Sequence, residues 1–252
     1  GFWTADQHPE TEGPKTQAFF KASNTGKWLP GDLRFKDIGG GIDGKPDGVV
    51  NNGNNTATNP GDMRIIGNST PRYSYGISLN ADYGGFFFGA FIQGVAKQNW
   101  WPGSEADVFW GQLNRPYNFL MKYVEAKIRS PENPNTYFPR YRGYTAQNGQ
   151  GELFNPQTKY IQNVAYVRLK NIQVGYNLPA AMVQRLKLSG IRVYLSGENL
   201  WTYSPIFKLT KNLDPENIGK SDIILTGTST NNGNGNNYPI LNSLTLGLNV
   251  TL

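Results

Sequence analysis

Hydrophobic and polar residues alternate along the final stretch of the chain, residues 243–252. One parity carries only leucine and valine, and the other carries serine, threonine, glycine and asparagine; the apolar set is Leu244, Leu246, Leu248, Val250 and Leu252. Alternation with period two predicts a β-strand with one apolar face. Its length matches the roughly 9–11 residues that a tilted strand needs to cross a membrane. The edge of a soluble β-sandwich has the same pattern, so this stretch alone leaves both architectures open.

The pattern predicts four earlier strands, at Tyr73–Tyr83, Phe86–Lys97, Val164–Leu178 and Ile191–Tyr203. The first has tyrosine at both ends of its apolar face, as expected of strands that cross two membrane interfaces. The second carries phenylalanine on both parities, so one set is expected to pack inside the protein. In the third, the apolar parity changes near Lys170-Asn171, which predicts a β-bulge.

The connections between these strands alternate between short and long. Gly84-Gly85 and Pro179–Gly190 are short, whereas 98–163 and 204–242 are long and polar. Antiparallel strands with short turns at one end and long loops at the other are typical of outer-membrane β-barrels. We therefore predict an all-β fold, an antiparallel transmembrane β-barrel segment with long extracellular loops. Its parts are a loop region 1–72, a hairpin 73–97, a loop 98–163, a hairpin 164–203, a loop 204–242 and a closing strand 243–252.

Composition removes several other classes of protein. The 252 residues include no cysteine and one histidine, His8, which excludes disulfides, thiolate zinc sites and cysteine nucleophiles. The net charge of +6 is scattered, without the basic run expected of a nucleic-acid-binding protein. The sequence has no run of about 18–20 apolar residues, the length expected of a transmembrane helix. This criterion does not apply to barrel strands, in which apolar and polar residues alternate.

Two pairs of acidic residues lie close in sequence, Glu105 with Asp107 and Asp214 with Glu216. A glycosidase needs two carboxyl groups facing each other across a cleft. Acidic residues in polar loops are usually solvated, so we predict that the protein is not an enzyme and needs no cofactor.

A series of short motifs covers nearly the whole chain in a fixed order. They are Pro30–Asp37 (PGDLRFKD), Ile66–Asn68 (IGN), Pro71–Gly76 (PRYSYG), Pro131–Asn135 (PENPN) with Pro139-Arg140, Tyr166–Pro179 (YVRLKNIQVGYNLP), Arg192–Thr202 (RVYLSGENLWT) and Asp214–Glu216 (DPE). With these motifs the chain resembles the C-terminal end of the SusC/RagA-type TonB-dependent transporters of Bacteroidetes.

The resemblance implies an outer-membrane importer, usually of oligosaccharides and in some branches of peptides. It implies a SusD-like surface lipoprotein as partner, and energy from TonB acting through a plug. Plugged transporters of this kind have about 22 strands, so five strands are expected to be part of a larger barrel. The opening residues, Gly1-Phe2-Trp3, show no signal sequence and are expected to be an internal start.

Two features depart from the family pattern. The family commonly has a calcium-loop-like run after the first motif, but Asp37, Asp43 and Asp47 lack the ligand spacing of such a loop. We therefore predict a glycine-rich turn and no metal site. The second departure is the final Leu252, where the family usually has an aromatic residue.

Aromatic and arginine side chains in the predicted loop 98–163 are the candidate ligand-binding residues. Aromatic faces stack on sugars, and arginine donates hydrogen bonds to hydroxyl and carboxylate groups. The candidates are Trp100, Trp101, Trp110, Tyr141, Tyr144, Arg140 and Arg142. The same aromatic residues also suit packing within the loops, an interfacial girdle, or contact with the lipoprotein.

Three functions therefore remain open at this point. The first is part of a TonB-dependent importer of oligosaccharides in the outer membrane. The second keeps this architecture but imports peptides. The third is a soluble, lectin-like or adhesin β-sandwich, which would bury both faces of its strands.

Overall fold

Five antiparallel strands form one sheet in the order β1-β2-β5-β6-β7, which confirms the predicted antiparallel fold class. The computed structural model describes residues 1–17, 19, 27–39, 45–104, 106–113, 115–119, 122–143, 151–218 and 235–252. The strands are β1 Ser74–Tyr83, β2 Phe86–Val95, β5 Tyr166–Asn177, β6 Gly190–Tyr203 and β7 Ser243–Thr251. Two short strands, β3 (Asn99–Trp100) and β4 (Gln162–Asn163), pair separately.

The helices in the described ranges are short. They are α1 Pro9–Thr16, α2 Asp107–Trp110, α3 Lys122–Glu125 and α4 Ala180–Val183, with 3-10 turns at Ala5–Gln7, Gly111–Leu113, Gln184–Leu186 and Pro205–Lys208. In the described part of the chain, no helix has the length and apolar character needed to cross a membrane.

The chain divides into two structural units. The first unit comprises Gly1–Gly67, Trp101–Ile161 and Ser221–Asn236, and contains α1, α2 and α3. The second unit comprises Asn68–Trp100, Gln162–Lys220 and Asn237–Leu252, and contains all seven strands. The first unit is built around buried aromatic side chains, whereas the second is built around the sheet.

One face of the sheet is apolar across all five strands, because the register aligns the apolar parity of each strand with that of the next. In one row, Ala81 pairs with Phe88, Phe88 with Val174, Val174 with Leu195, and Leu195 with Leu246. Side chains in this row are exposed: 47% for Val174, 53% for Leu195 and 77% for Leu246. The apolar face is therefore continuous and uncovered within the described residues.

A bulge in β5 confirms the parity change predicted near Lys170-Asn171. Phe91 of β2 pairs with Asn171, while the next residue, Ile92, pairs with Leu169, which leaves Lys170 as the extra residue. Leu169 and Ile172 are three positions apart and would face opposite sides of a regular strand. The extra residue places both on the apolar face.

Aromatic rings on the opposite, polar face lie over glycine residues of the neighbouring strand. Phe87 pairs with Gly175, and Tyr194 pairs with Gly247. A Cβ atom added at either glycine would overlap the ring of its partner. The second set of phenylalanines, expected to pack inside, thus packs partly on bare backbone within the sheet.

We expect Gly175→Ala to destabilise the sheet by about 1–3 kcal/mol, because the added Cβ meets the Phe87 ring and the Val193 carbonyl. The matched control is Gly89→Ala on the same face, where an added Cβ approaches only Asn80 Oδ1, at 3.4 Å. Urea unfolding of both variants tests this. Equal stability of the two variants would show that the ring-over-glycine contact contributes nothing.

Candidate functional site

The first unit is centred on a cluster of aromatic rings from α2 and the segments around 138 and 160. The centroid of the Trp110 ring lies 4.7 Å from that of Phe109, 6.2 Å from that of Phe138 and 5.3 Å from that of Tyr160. All four residues are fully buried. The Trp110 Nε1–H donates to the carbonyl oxygens of Pro102 and Gly103, at 3.0 Å each, so its polar atom is also satisfied.

The predicted ligand-binding tryptophans contribute to packing in this structure. Trp110 is 0% exposed and Trp100, in β3, is 5% exposed. Trp101 packs its ring edge-on against Trp110, with the centroids 6.2 Å apart. In this conformation Trp110 and Trp100 therefore have a packing role, which is the alternative to ligand binding considered for these residues. Tyr144, another predicted residue, lies outside the described residues.

The remaining candidates, Arg140, Tyr141 and Arg142, are consecutive and have different environments. The Arg142 Nη2 donates to Asp32 Oδ2 at 2.8 Å and to the Lys27 carbonyl at 2.6 Å. The Arg140 Nη1 donates to the Pro30 carbonyl at 3.2 Å. Tyr141 is 41% exposed, and partial burial together with the charge of Glu125 raises the pKa of its phenol. Tyr141 is thus the predicted aromatic residue that the structure leaves accessible.

The first unit contains a cavity of about 510 Å³, and none of the candidate ligand-binding residues lines it. Its lining combines cationic and amide side chains with Phe2, Phe35 and Val50; the polar members are Gln7, Thr16, Gln17, Arg34, Lys36 and Asp37. Gln17 is fixed, because its side chain bonds both the N–H and the carbonyl of Phe35, at 3.0 Å each. The volume lies in the range of small-molecule sites, and the lining suits a polar ligand.

The aspartates near the predicted glycine-rich turn bind backbone amides. Asp37 accepts from Gly39 and Gly48, and Asp62 accepts from Ile38 and Asn51. Asp43, the third residue of that prediction, lies outside the described residues. Across the described ranges, no group of three or more acidic, histidine or cysteine residues is placed to hold a metal ion.

A buried ion network in the second unit was not predicted from the sequence. Arg168 of β5 is 3% exposed; its Nη2 lies 2.7 Å from Asp214 Oδ1 and its Nη1 lies 2.7 Å from Glu216 Oε2. Lys170 Nζ lies 3.2 Å from Glu216, and Asp214 Oδ2 accepts from the Ile240 N–H at 2.9 Å. The network therefore ties the DPE motif and the segment before β7 to the strand.

This network also accounts for one of the two acidic pairs. Asp214 and Glu216 share a guanidinium and do not face each other across a cleft. In the other pair, Asp107 Oδ2 lies 3.2 Å from Arg115 Nη1, and Glu105 is outside the described residues. The DPE motif itself was the sequence signal for this network, but its partner on the strand could not be identified from spacing.

Comparison with known proteins gives relatives of one kind. No protein-family model matches the chain. The chain is 28% identical over 207 residues to TonB-dependent receptor P26 of Formosa agariphila, covering 75% of this chain and 18% of the receptor. It is 27% identical over 189 residues to TonB-dependent receptor P3 of the same organism, covering 75% of this chain and 17% of the receptor. The chain thus spans less than a fifth of the length of these relatives.

A solved structure supports the fold. The RagAB peptide importer in its closed-closed state matches with a TM-score of 0.52 and 20% identity, over 78% of this chain and 19% of that chain. These relatives are named as receptors and an importer, not as enzymes. The predicted family resemblance is confirmed: the chain is homologous to TonB-dependent receptors, and its fold matches part of the RagAB peptide importer.

Proposed function

We propose that this chain forms part of the wall and the extracellular loops of a TonB-dependent importer in the outer membrane. In this proposal the importer takes up oligosaccharides together with a SusD-like surface lipoprotein. The observation that carries the membrane assignment is the continuous, uncovered apolar face of the five-stranded sheet. Homology to TonB-dependent receptors supplies the class of transporter.

An apolar face of this extent is unfavourable in water but stable against lipid. Aromatic residues lie at both ends of it, as expected at the two membrane interfaces. Tyr83 and Phe86 are exposed at the short-turn end, and Trp201 and Tyr203 are exposed at the other end. A soluble sandwich would cover this face with a second sheet, and the described residues contain no such sheet.

The opposite face of the sheet has the character of a transporter lumen. Asn80, Gln173, Arg192, Ser196 and Thr245 alternate with the apolar residues of their strands. With the final strand directed toward the periplasm, the short turns at 84–85 and 179–190 are periplasmic, and 1–72, 98–163 and 204–242 are extracellular. The plug that contacts TonB, and the rest of the barrel, belong to parts of the transporter beyond this chain.

The proposed cargo contact in the first unit is the surface around Tyr141. Its ring is accessible, and the neighbouring guanidinium of Arg140 is held by the Pro30 carbonyl. An amphipathic ring beside a fixed cation suits sugars, and it suits peptides equally. Peptides are therefore the second candidate cargo, and the name of the structurally similar RagAB importer favours them, although its 20% identity supports only the fold.

The test is to purify the intact transporter from outer membranes in detergent and to identify the polypeptides that co-purify. Its binding to a glycan panel and to a peptide panel is then measured. We expect a SusD-like lipoprotein in the complex and binding in the glycan panel, with affinity reduced about tenfold or more by Tyr141→Ala. The control is Tyr83→Ala, an exposed tyrosine at the short-turn end of β1. Recovery of the chain alone in the soluble fraction would contradict the proposal, and binding of peptides only would select the second cargo.

A further inference from the structure

Two carboxyl groups are fully buried in the first unit. Asp32 is 0% and Glu152 is 1% exposed. The Oδ2 of Asp32 accepts from the Leu29 N–H at 2.8 Å and from Arg142, and one oxygen of Glu152 accepts from the Leu33 N–H. The other oxygens, Asp32 Oδ1 and Glu152 Oε1, are buried and accept no hydrogen bond from any described residue. Unsatisfied buried carboxylate oxygens are costly, which indicates a missing donor.

The surroundings of the two acids point to a proton as that donor. The only direct ion pair of Asp32 among the described residues is with Arg142, whose side chain is 9% exposed, and that pair uses Asp32 Oδ2 and leaves Oδ1 without a donor. The other charged or titratable groups around the pair are Arg140, Tyr160 and, beside Gly31, Arg129. Arg140 and Arg129 bond the carbonyls of Pro30 and Pro134, and the Tyr160 hydroxyl donates to the Tyr137 carbonyl at 2.9 Å.

The electrostatic environments of Glu152 and Asp32 agree with a bound proton. Burial, with the neighbouring Asp32 as second cause, raises the pKa of Glu152 from its usual range to about 8. Burial also raises the pKa of Asp32, against the opposing effect of Arg142. Two carboxyl groups that share a site cannot both ionise at neutral pH, and they titrate as a pair.

We propose that Asp32 and Glu152 form a one-proton site, and that loss of this proton loosens the first unit around residues 27–34 and 140–142. The inference does not depend on the transport activity.

Several hydrogen bonds depend on this cluster, so its opening has more than local consequences. The segment around Asp32 is paired with Trp3. The Gly31 N–H donates to the Trp3 carbonyl at 2.8 Å, and the Asp32 carbonyl accepts from the Trp3 N–H at 2.8 Å. The Arg140 N–H donates to the Gly31 carbonyl at 3.3 Å, and Arg142 donates to the Lys27 carbonyl. The segment that is released carries Tyr141, so the accessible tyrosine would lose its fixed position when the proton leaves.

The direction of the pH effect follows from linkage. A Glu152 pKa raised in the folded state means that the folded unit holds a proton which the unfolded chain releases above its ordinary pKa. The contribution of this proton to the stability of the first unit is therefore fully present below about pH 4.5, and it decreases as the pH rises toward about 8, the folded-state pKa of Glu152. Above that pH the contribution is lost and does not change further with pH.

The experiment compares hydrogen exchange of the whole protein at pH 6 and pH 9, corrected for the intrinsic exchange rates. For the wild type we expect protection of amides in 27–34 and 140–142 to fall more than tenfold, while peptides from β5 stay unchanged. In Glu152→Gln the amide carbonyl can accept from the Leu33 N–H in place of the carboxylate oxygen, and the side chain has no proton to lose between pH 6 and pH 9. This variant should lose less than about threefold protection between the two pH values.

A second readout identifies the proton directly. The infrared carbonyl band of a protonated, buried carboxyl group should be present in the wild type at pH 6, absent at pH 9, and absent from Glu152→Gln at both. The same fall in protection in wild type and Glu152→Gln would overturn the proposal, as would the absence of the band at pH 6.

Discussion

Replacing Arg168 by methionine will lower the free energy of opening of the loop segments around Asp214 and Ile240 by about 3–5 kcal/mol. Methionine keeps much of the side-chain volume but removes the guanidinium that bonds both Asp214 and Glu216, each at 2.7 Å. Asp214 then stays buried as an uncompensated charge. Hydrogen exchange of peptides covering 210–218 and 237–242 measures the effect, with the strands β1 and β2 as internal reference.

The matched control for Arg168 lies two residues further along the same strand. Lys170 Nζ is 3.2 Å from Glu216, but its side chain is 24% exposed. Lys170→Met should therefore cost only about 1 kcal/mol or less. Adding Asp214→Asn and Glu216→Gln to Arg168→Met should restore part of the loss, since no buried charge remains. Wild-type protection in Arg168→Met would show that the network does not hold these segments to the strand.

Replacing Trp110 by alanine will destabilise the first unit by about 3–5 kcal/mol. Trp110 is completely buried between Phe109, Phe138 and Tyr160, and the surrounding rings cannot close a cavity of that size. The Gly103 amide and the amides of the 151–161 segment should exchange faster, while the sheet of the second unit keeps its protection.

The control for Trp110 is an exposed aromatic residue of the same unit. Phe119 is 54% exposed, so Phe119→Ala should change stability by no more than about 0.5 kcal/mol. The same pair of variants separates the two roles considered for Trp110. Loss of ligand binding without loss of stability in Trp110→Ala would show that the ring contacts ligand and that the packing role is secondary.

The strands were predictable because their signal is local. Alternation with period two gave β1, β2, β5, β6 and β7 to within a few residues at each end, and the parity change in β5 gave its bulge. The pairing of Phe87 with Gly175 could not be derived, because it depends on the register between strands far apart in sequence. That register is set by the whole sheet, not by either strand alone.

The first unit was less predictable for a related physical reason. Its segments have no regular period, so nothing local distinguishes the buried Trp110 from an accessible Tyr141. Glu152 gave no signal at all, because an isolated acid in a polar segment is normally solvated. Its burial accompanies the hydrogen bond that it accepts from the Leu33 N–H, 119 residues away in the chain.

The central claim, that one face of the sheet contacts lipid and the other does not, can be measured along β7. The chain has no cysteine, so single cysteines can be placed on β7 and labelled with a fluorophore in the reconstituted transporter, once any cysteines in its other parts are replaced. We expect a quencher dissolved in the lipid to quench labels at 244, 246, 248 and 250, and to spare labels at 245 and 249. Equal quenching of labels at even and odd positions would contradict the account. Labels at the even positions that neither a lipid-dissolved nor a water-soluble quencher reaches would also contradict it, and would favour a sheet buried inside a soluble protein.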